Sequence, residues 1–81
     1  MKDRIRQILS DHARLTVEPD ALDDADDLYQ AGMTSHASVN VMLALEDAFD
    51  VEFPDAMLRR SVFQSVDAIA GALTELEAAA A

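Results

Sequence analysis

The stretch DLYQAGMTSHASVNVMLALEDAFDVEFPD, residues 27–55, decides the fold. Its first part is polar and ends near Gly32, and either Thr34 or Ser35 can cap a following helix by accepting a hydrogen bond from an exposed backbone N–H group. Residues then recur at the spacing of one helix face, namely Ser38, Val41, Met42, Leu45 and Phe49. We therefore predict an amphipathic helix that begins beside Ser35 and turns this face inward.

The other face of the same helix is partly apolar. It carries His36, Val39, Asn40, Leu43 and Asp47. Val39 and Leu43 are more apolar than solubility requires, which makes this face a candidate contact surface. Scattered exposed apolar side chains are also normal on soluble proteins, so both interpretations stay open.

The residues before this helix predict one more helix and a loop. From Lys2 to about Ala13, apolar spacing of the i, i+3, i+4, i+7 type predicts helix one, with a stripe of Ile5, Ile8, Leu9 and His12. Residues 14–33 lose this periodicity, contain Pro19 and carry several aspartates, which indicates a long solvated loop. We expect four side chains to hold the loop to the protein: Val17, Leu22, Leu28 and Tyr29.

The residues after residue 53 predict two further helices. Pro54 and Asp55 suit the start of a short third helix, a helical turn that continues through about Arg60, because proline costs no backbone hydrogen bond in the first turn. Ser65 is placed to cap a fourth helix, whose stripe lies within residues 66–76 and whose tail, residues 78–81, frays. The fold class is therefore all-α, a small four-helix bundle in one domain, residues 1–81, with a long loop between helices one and two. We expect most of the core, with Phe49 the most important, to come from Ile5, Leu9, Val41, Leu45, Phe49, Phe63, Ile69 and Leu73.

Composition and charge restrict the kinds of partner that the protein can bind. The chain has 81 residues and a formal net charge of −10, and Leu15 to Leu58 holds eleven Asp or Glu residues and no Lys or Arg. Such a surface repels nucleic acid and anionic membranes and favours a partner with a basic patch. No apolar run approaches the roughly 20 residues that cross a bilayer, and the first residues lack the apolar stretch of a signal peptide. We expect a cytoplasmic, monomeric protein that binds other proteins.

The sequence offers little for catalysis or metal binding. His12, His36 and an aspartate can be drawn beside Ser35 as a nucleophile triad, but adjacent Ser35 and His36 point different ways on a helix, and a short chain has little pocket to exclude water. The aspartate-rich loop lacks the start and the closing Glu of an EF-hand. The chain has no cysteine, so any thiol chemistry must come from an attached group. We predict neither an enzyme nor a specific metal site.

Residues 27–55 resemble the acyl carrier protein family. In that family a Gly lies three residues before a Ser that opens the second helix, and acidic residues, Phe-Asp and Pro-Asp follow that helix. The matching positions here, without a gap, are Gly32, Ser35, Val39, Leu45, Glu46, Asp47, Phe49, Asp50, Pro54 and Asp55. The resemblance implies that a phosphopantetheinyl transferase attaches 4′-phosphopantetheine to Ser35, and that the terminal thiol of this arm holds cargo as a thioester. A helix N-terminus also favours a phosphodiester, although Ser35 alone can be read as only a helix cap.

The chain departs from the family pattern at two places. The family has Asp before the serine and Leu after it, where this chain has Thr34 and His36. Arg59 and Arg60 lie where many members are acidic or neutral, which suggests a dedicated partner. The alternatives are that His36 is a solvated surface residue and that the arginines favour the C-terminal end of the third helix. We predict a partner-binding surface made of Thr34, His36, Val39, Asn40, Leu43, Asp47, Arg59 and Arg60.

Three functions remain open. The Thr-Ser-His motif and residues 39–47 and 57–60 look most like aminoacyl carrier proteins, a bacterial group that receives an amino acid from a synthetase-like, ATP-dependent amino acid:carrier protein ligase. The second function is that of an acyl carrier protein for fatty-acid or polyketide synthesis. The third is that of an unmodified acidic helical adaptor that binds proteins through helix two.

Overall fold

Three α-helices and three short 3-10 helices form the structure, a computed structural model that describes residues 1–80. The α-helices are α1 (Lys2–His12), α2 (Ser35–Phe49) and α3 (Val66–Ala80), and the 3-10 helices span Pro19–Ala21, Asp55–Met57 and Arg60–Phe63. No strand occurs in the described part of the chain. The all-α class and the positions of predicted helices one, two and four are confirmed. None of the helices between residues 1 and 80 is long and apolar enough to span a membrane.

The predicted third helix is not an α-helix. Leu58 (φ −84°, ψ 63°) and Arg59 (φ −129°, ψ 151°) leave the helical region, so residues 55–63 form separate 3-10 helices. A segment this short makes too few hydrogen bonds to offset helix nucleation unless one face is buried. Here residues 58–61 are exposed, and the buried phenylalanines are Phe53, just before the segment, and Phe63, at its end, whose rings lie 5.2 Å apart.

The core lies where α1 packs against both α2 and α3. Each helix contributes one buried stripe, made of Ile5, Ile8 and Leu9 in α1, Ala37, Val41 and Leu45 in α2, and Val66, Ile69, Ala72 and Leu73 in α3. The predicted core is confirmed except at Phe49, which is only partly buried. Helix α2 ends at Phe49 and Asp50 adopts φ 53°, so the chain turns back and Phe53 becomes the buried aromatic residue.

Apolar and backbone contacts hold the loop between α1 and α2. Leu28 is fully buried, and its N–H donates to the Gln64 carbonyl at 2.7 Å. Leu22 and Tyr29 are partly buried, as expected, but Val17 is 44% exposed, and that prediction is wrong. His12, which the sequence placed on the apolar stripe of α1, is exposed as well, because it lies at the edge of an open groove between α1 and α2.

Polar contacts that the sequence did not predict also hold this loop. The Arg6 guanidinium donates to the Leu22 carbonyl at 2.9 Å and pairs with the Asp24 carboxylate. The Lys2 ammonium lies 3.0 Å from Asp24 and 2.9 Å from Asp67, and so it bridges the loop and α3. The hydrogen bonds from Lys2 and Arg6 hold the pKa of Asp24 below its ordinary value.

The two ends of α3 test the predicted cap at Ser65 and the predicted frayed tail at residues 78–81. The Ser65 hydroxyl accepts a hydrogen bond from the Ala68 N–H at 3.0 Å, which confirms the predicted cap. Helix α3 continues through Ala80, whereas the sequence suggested a frayed tail at residues 78–81, and Ala81 lies outside the described residues.

Candidate functional site

The candidate site begins at the first residue of α2, Ser35, which is exposed. Thr34 takes the cap position, because its hydroxyl accepts a hydrogen bond from the Ala37 N–H at 3.0 Å. The sequence had left Thr34 and Ser35 as equal candidates for this role. With the cap supplied by Thr34, the Ser35 side chain lies at the surface beside the positive end of the helix dipole.

The chain reaches Ser35 through a turn that requires Gly32. Gly32 has φ +112°, and a Cβ there would lie 3.0 Å from the Thr16 Cγ2 and 3.2 Å from the Thr16 nitrogen. Thr16 is held in place because its N–H and its hydroxyl both donate to the Ala31 carbonyl at 2.9 Å. The start of the long loop therefore positions the residues that lead into Ser35.

An open groove of about 310 Å³ lies beside Ser35, between α2 and the segment 58–63. Its polar lining consists of Ser35, Ser38, Arg59 and Arg60. Its apolar lining consists of Tyr29, Val39, Met42, Leu58 and Phe63. The structure thus brings the predicted residues Val39, Arg59 and Arg60 together with Ser35.

The other predicted contact residues of α2 face a different groove. Asn40, Leu43 and Asp47 lie on the side of α2 that faces α1, together with Arg4, Ile8, Asp11, His12, Ala44 and Ala48. Val39 is 50% exposed and Leu43 is 54% exposed, so both are accessible as predicted, but they line different grooves. Thr34 and His36 are exposed at the start of α2. The predicted partner surface is therefore divided between two grooves.

Two arginines, Arg59 and Arg60, give the groove beside Ser35 a positive charge next to an acidic stretch of the chain. The Arg60 guanidinium carbon lies 4.1 Å from the centroid of the Tyr29 ring, which is a cation–π contact. Neither Arg59 nor Arg60 takes part in an ion pair with any residue from 1 to 80. Sequence reasoning did not place Tyr29 or Leu58 at the site, because the contacts join segments that are distant along the chain.

Comparison with known proteins identifies the family. Residues 3–73 match the family described as "Phosphopantetheine attachment site", and the chain belongs to that family. Its prosthetic group is accordingly 4′-phosphopantetheine, attached covalently to a serine. The chain is also 48% identical over 69 residues to an aminoacyl carrier protein of Agrobacterium fabrum, an alignment that covers 85% of this chain and 83% of the relative.

Solved structures agree in fold. One match is a chain in the crystal structure of an engineered Bradyrhizobium japonicum glycine:[carrier protein] ligase complexed with a carrier protein from Agrobacterium tumefaciens and AMP. It has a TM-score of 0.89 and 44% identity over 91% of this chain and 99% of that chain. A solution structure of a protein from Agrobacterium tumefaciens matches with a TM-score of 0.77 and 42% identity over 96% of this chain and 94% of that chain.

The residues around Ser35 fit a phosphopantetheine group. The serine is exposed, and its modification would leave the Thr34 cap intact. The helix N-terminus and the two arginines favour the negative charge of a phosphodiester. The apolar lining of the groove offers a surface along which an arm attached at Ser35 can lie.

Proposed function

We propose that Ser35 carries the phosphopantetheine arm and that the protein holds an amino acid loaded by an ATP-dependent amino acid:carrier protein ligase. The observation that carries this proposal is the exposed position of Ser35 at the start of α2, three residues after the Gly32 turn, with the cap supplied by Thr34. The arm supplies the thiol that holds the amino acid as a thioester. The chain supplies position and contributes no catalytic group.

Two other serines near a helix start are occupied by local roles. Ser65 caps α3 through its hydroxyl, and the Ser38 hydroxyl donates to the Ser35 carbonyl at 2.7 Å. Neither follows a glycine turn. These differences support Ser35 as the attachment site.

The aminoacyl cargo is supported by the relatives. The Agrobacterium fabrum relative is an aminoacyl carrier protein, and the matched crystal structure contains a glycine:[carrier protein] ligase. We therefore expect a small amino acid such as glycine, loaded in the cytoplasm, where ATP is available. Residues 1–81 act as one carrier domain, in which the segment 55–63 takes the place of the third helix of a four-helix carrier bundle.

The proposed partner surface surrounds the arm. The ligase contacts the exposed residues at the start of α2 and along both of its grooves, a set made of Thr34, His36, Val39, Asn40, Leu43, Asp47, Arg59 and Arg60. Val39 and Leu43 give apolar contact, and Arg59 meets an acidic group of the ligase. A small mixed interface of this kind is weak, and salt screens exposed ion pairs beyond about 8 Å at physiological strength. Added salt should therefore slow loading without changing the product.

Attachment is tested on the apo protein with coenzyme A and a broad-specificity phosphopantetheinyl transferase. The transferase moves 4′-phosphopantetheine from coenzyme A to the serine hydroxyl and releases adenosine 3′,5′-bisphosphate, and the intact mass should rise by one arm. Ser35→Ala should gain none. Ser38→Ala is the matched control, because Ser38 lines the same groove one turn later, and it should be modified like the wild type. An arm on Ser35→Ala contradicts the assignment, as does an arm that is lost in Ser38→Ala but not in Ser35→Ala.

Loading is tested with the holo protein, the candidate ligase, ATP and single amino acids, again by intact mass. Glycine or another small amino acid should add to the arm and be released by hydroxylamine, which cleaves thioesters. If only fatty acyl groups load through an acyl-activating enzyme, the acyl carrier function replaces the aminoacyl one. Arg59→Glu should slow loading, whereas Arg14→Glu, the same charge reversal away from the groove beside Ser35, should not.

A further inference from the structure

An aromatic contact with Tyr29 holds the Arg60 side chain in the groove beside Ser35. The guanidinium carbon of Arg60 lies over the Tyr29 ring, 4.1 Å from the ring centroid. A cation–π contact of this kind uses the charge of the guanidinium and leaves N–H donors free to bind an anion. Arg59 lines the same groove, but within residues 1–80 it makes no such aromatic contact.

Tyr29 is itself held in position. Its N–H donates to the Asp27 carboxylate at 2.9 Å, and its carbonyl accepts from the Gly32 N–H at 3.1 Å. The Gln64 side chain donates to the same Asp27 carboxylate at 3.2 Å, which connects this turn to the end of the segment that carries Arg60. The turn before Ser35 and the arginine segment are thus joined.

The charge distribution indicates what Arg60 binds. Between Leu15 and Leu58 the chain has eleven acidic residues and no Lys or Arg, yet Arg59 and Arg60 both line the groove that contains Ser35. Arg60 has no carboxylate partner among residues 1–80. A free, preorganised arginine loses less conformational entropy when it binds a phosphate than a mobile one does.

We propose that Arg60, positioned by Tyr29, binds the phosphodiester of the arm on Ser35 and so directs the arm into the groove in the free carrier. This inference rests on the proposed attachment at Ser35. Arg60 is here a positioning residue, which holds the first part of the arm against the apolar lining formed by Val39, Met42, Leu58 and Phe63. Arg59 remains available to the ligase.

The test compares backbone amide and arginine side-chain NMR signals of the apo and holo forms of each variant. In the wild type, attachment should shift the Arg60 Nε–H signal and the amides of Leu58 and Phe63, in addition to residues next to Ser35. In Arg60→Gln the shifts at Leu58 and Phe63 should fall to less than half, and the ³¹P signal of the phosphodiester should move. Arg14→Gln, which removes the same charge outside the groove, should keep the wild-type pattern.

Variants of Tyr29 test the positioning role. Tyr29→Phe keeps an aromatic face and should retain the shifts at Leu58 and Phe63, whereas Tyr29→Leu should reduce them. Wild-type shifts confined to the residues beside Ser35, or shifts that persist in Arg60→Gln, overturn the inference while leaving the carrier function intact. If intact mass shows that Ser35 accepts no arm, the proposed function fails and this inference fails with it.

Discussion

Gly32 and Gly71 are the two glycines of the chain. Replacing Gly32 with alanine should destabilise the protein, whereas replacing Gly71 with alanine should stabilise it. At Gly32 the backbone has φ +112°, where an alanine costs about 1–3 kcal/mol in strain. The new Cβ would also lie 3.0 Å from a methyl group and 3.2 Å from the backbone nitrogen of Thr16, an overpacking that typically costs about 1–3 kcal/mol. Alanine also has less conformational freedom than glycine in the unfolded chain, and this difference offsets only about 0.4–1 kcal/mol of the loss in stability.

The net loss for Gly32→Ala is therefore about 1–6 kcal/mol with a central value of about 3 kcal/mol, a large part of the roughly 4–12 kcal/mol typical of a domain of this size. A domain of this length shifts its Tm by about 4–8 °C per kcal/mol, so a loss of about 3 kcal/mol should lower the Tm by about 12–24 °C. Gly71 is exposed in α3 and has no atom within 4 Å of the position its Cβ would take. Gly71→Ala should therefore raise the free energy of unfolding by up to about 1 kcal/mol, the helix preference of alanine over glycine.

Urea and thermal unfolding followed by circular dichroism measure both changes. Thr16→Ser removes the methyl group but keeps the hydroxyl that donates to Ala31, so Gly32→Ala/Thr16→Ser should recover only the part of the loss due to that contact. A Gly32→Ala protein as stable as the wild type, alongside a stabilised Gly71→Ala, would show that the turn before Ser35 is not built as described. Complete recovery in the double variant would show that backbone strain contributes nothing.

Three further changes probe the core, the cap and the loop. Leu45→Ala, at a fully buried residue, should lower the free energy of unfolding by about 2–5 kcal/mol, and urea titration should show a smaller loss for the partly exposed Phe49→Ala. Thr34→Ala should cost about 1 kcal/mol of stability and Thr34→Asp much less, because an aspartate can still accept from the Ala37 N–H; equal urea midpoints would contradict this cap. The pKa of Asp24 is lowered from its ordinary value of 3.8, so its contribution is complete above pH 3.8 and is lost as the pH falls below that value. The wild type should therefore exceed Asp24→Asn in stability at pH 7, and the difference should shrink in acid titrations; a constant difference would exclude the Asp24 pKa as its cause.

Features that depend on residues close together in the chain were predictable from the sequence. The stripe of α1, the Ser65 cap and the turn at Gly32 each follow from spacing or from the chemistry of one residue. The start of α2 at Ser35 was predictable for the same reason, since capping hydrogen bonds span only about three residues. The resemblance to carrier proteins also rests on a continuous local motif, residues 27–55.

The failures in the third helix and at Phe49 have a shared cause. Periodicity shows which residues could lie on one face but not where the chain must turn to meet the rest of the core. At residues 55–63 the path of the chain was determined by two buried phenylalanines, Phe53 just before the segment and Phe63 at its end, and no apolar stripe supported an α-helix between them. At Phe49 the left-handed Asp50 ended the helix, and Phe53 was buried instead.

The sequence by itself determined the class of the fold, the helix that begins at Ser35 and the excess of negative charge, because these depend on local spacing and composition. Only the tertiary structure decided that Val39 and Leu43 face separate grooves, since that depends on where α1 and the segment 58–63 lie against α2. The tertiary structure likewise decided the contact of Arg60 with Tyr29, which is 31 positions away, and the hydrogen bond from Arg6 to Leu22, which is 16 positions away. Such contacts form only when the buried stripes of the helices bring distant segments together, and spacing along the chain carries no information about them.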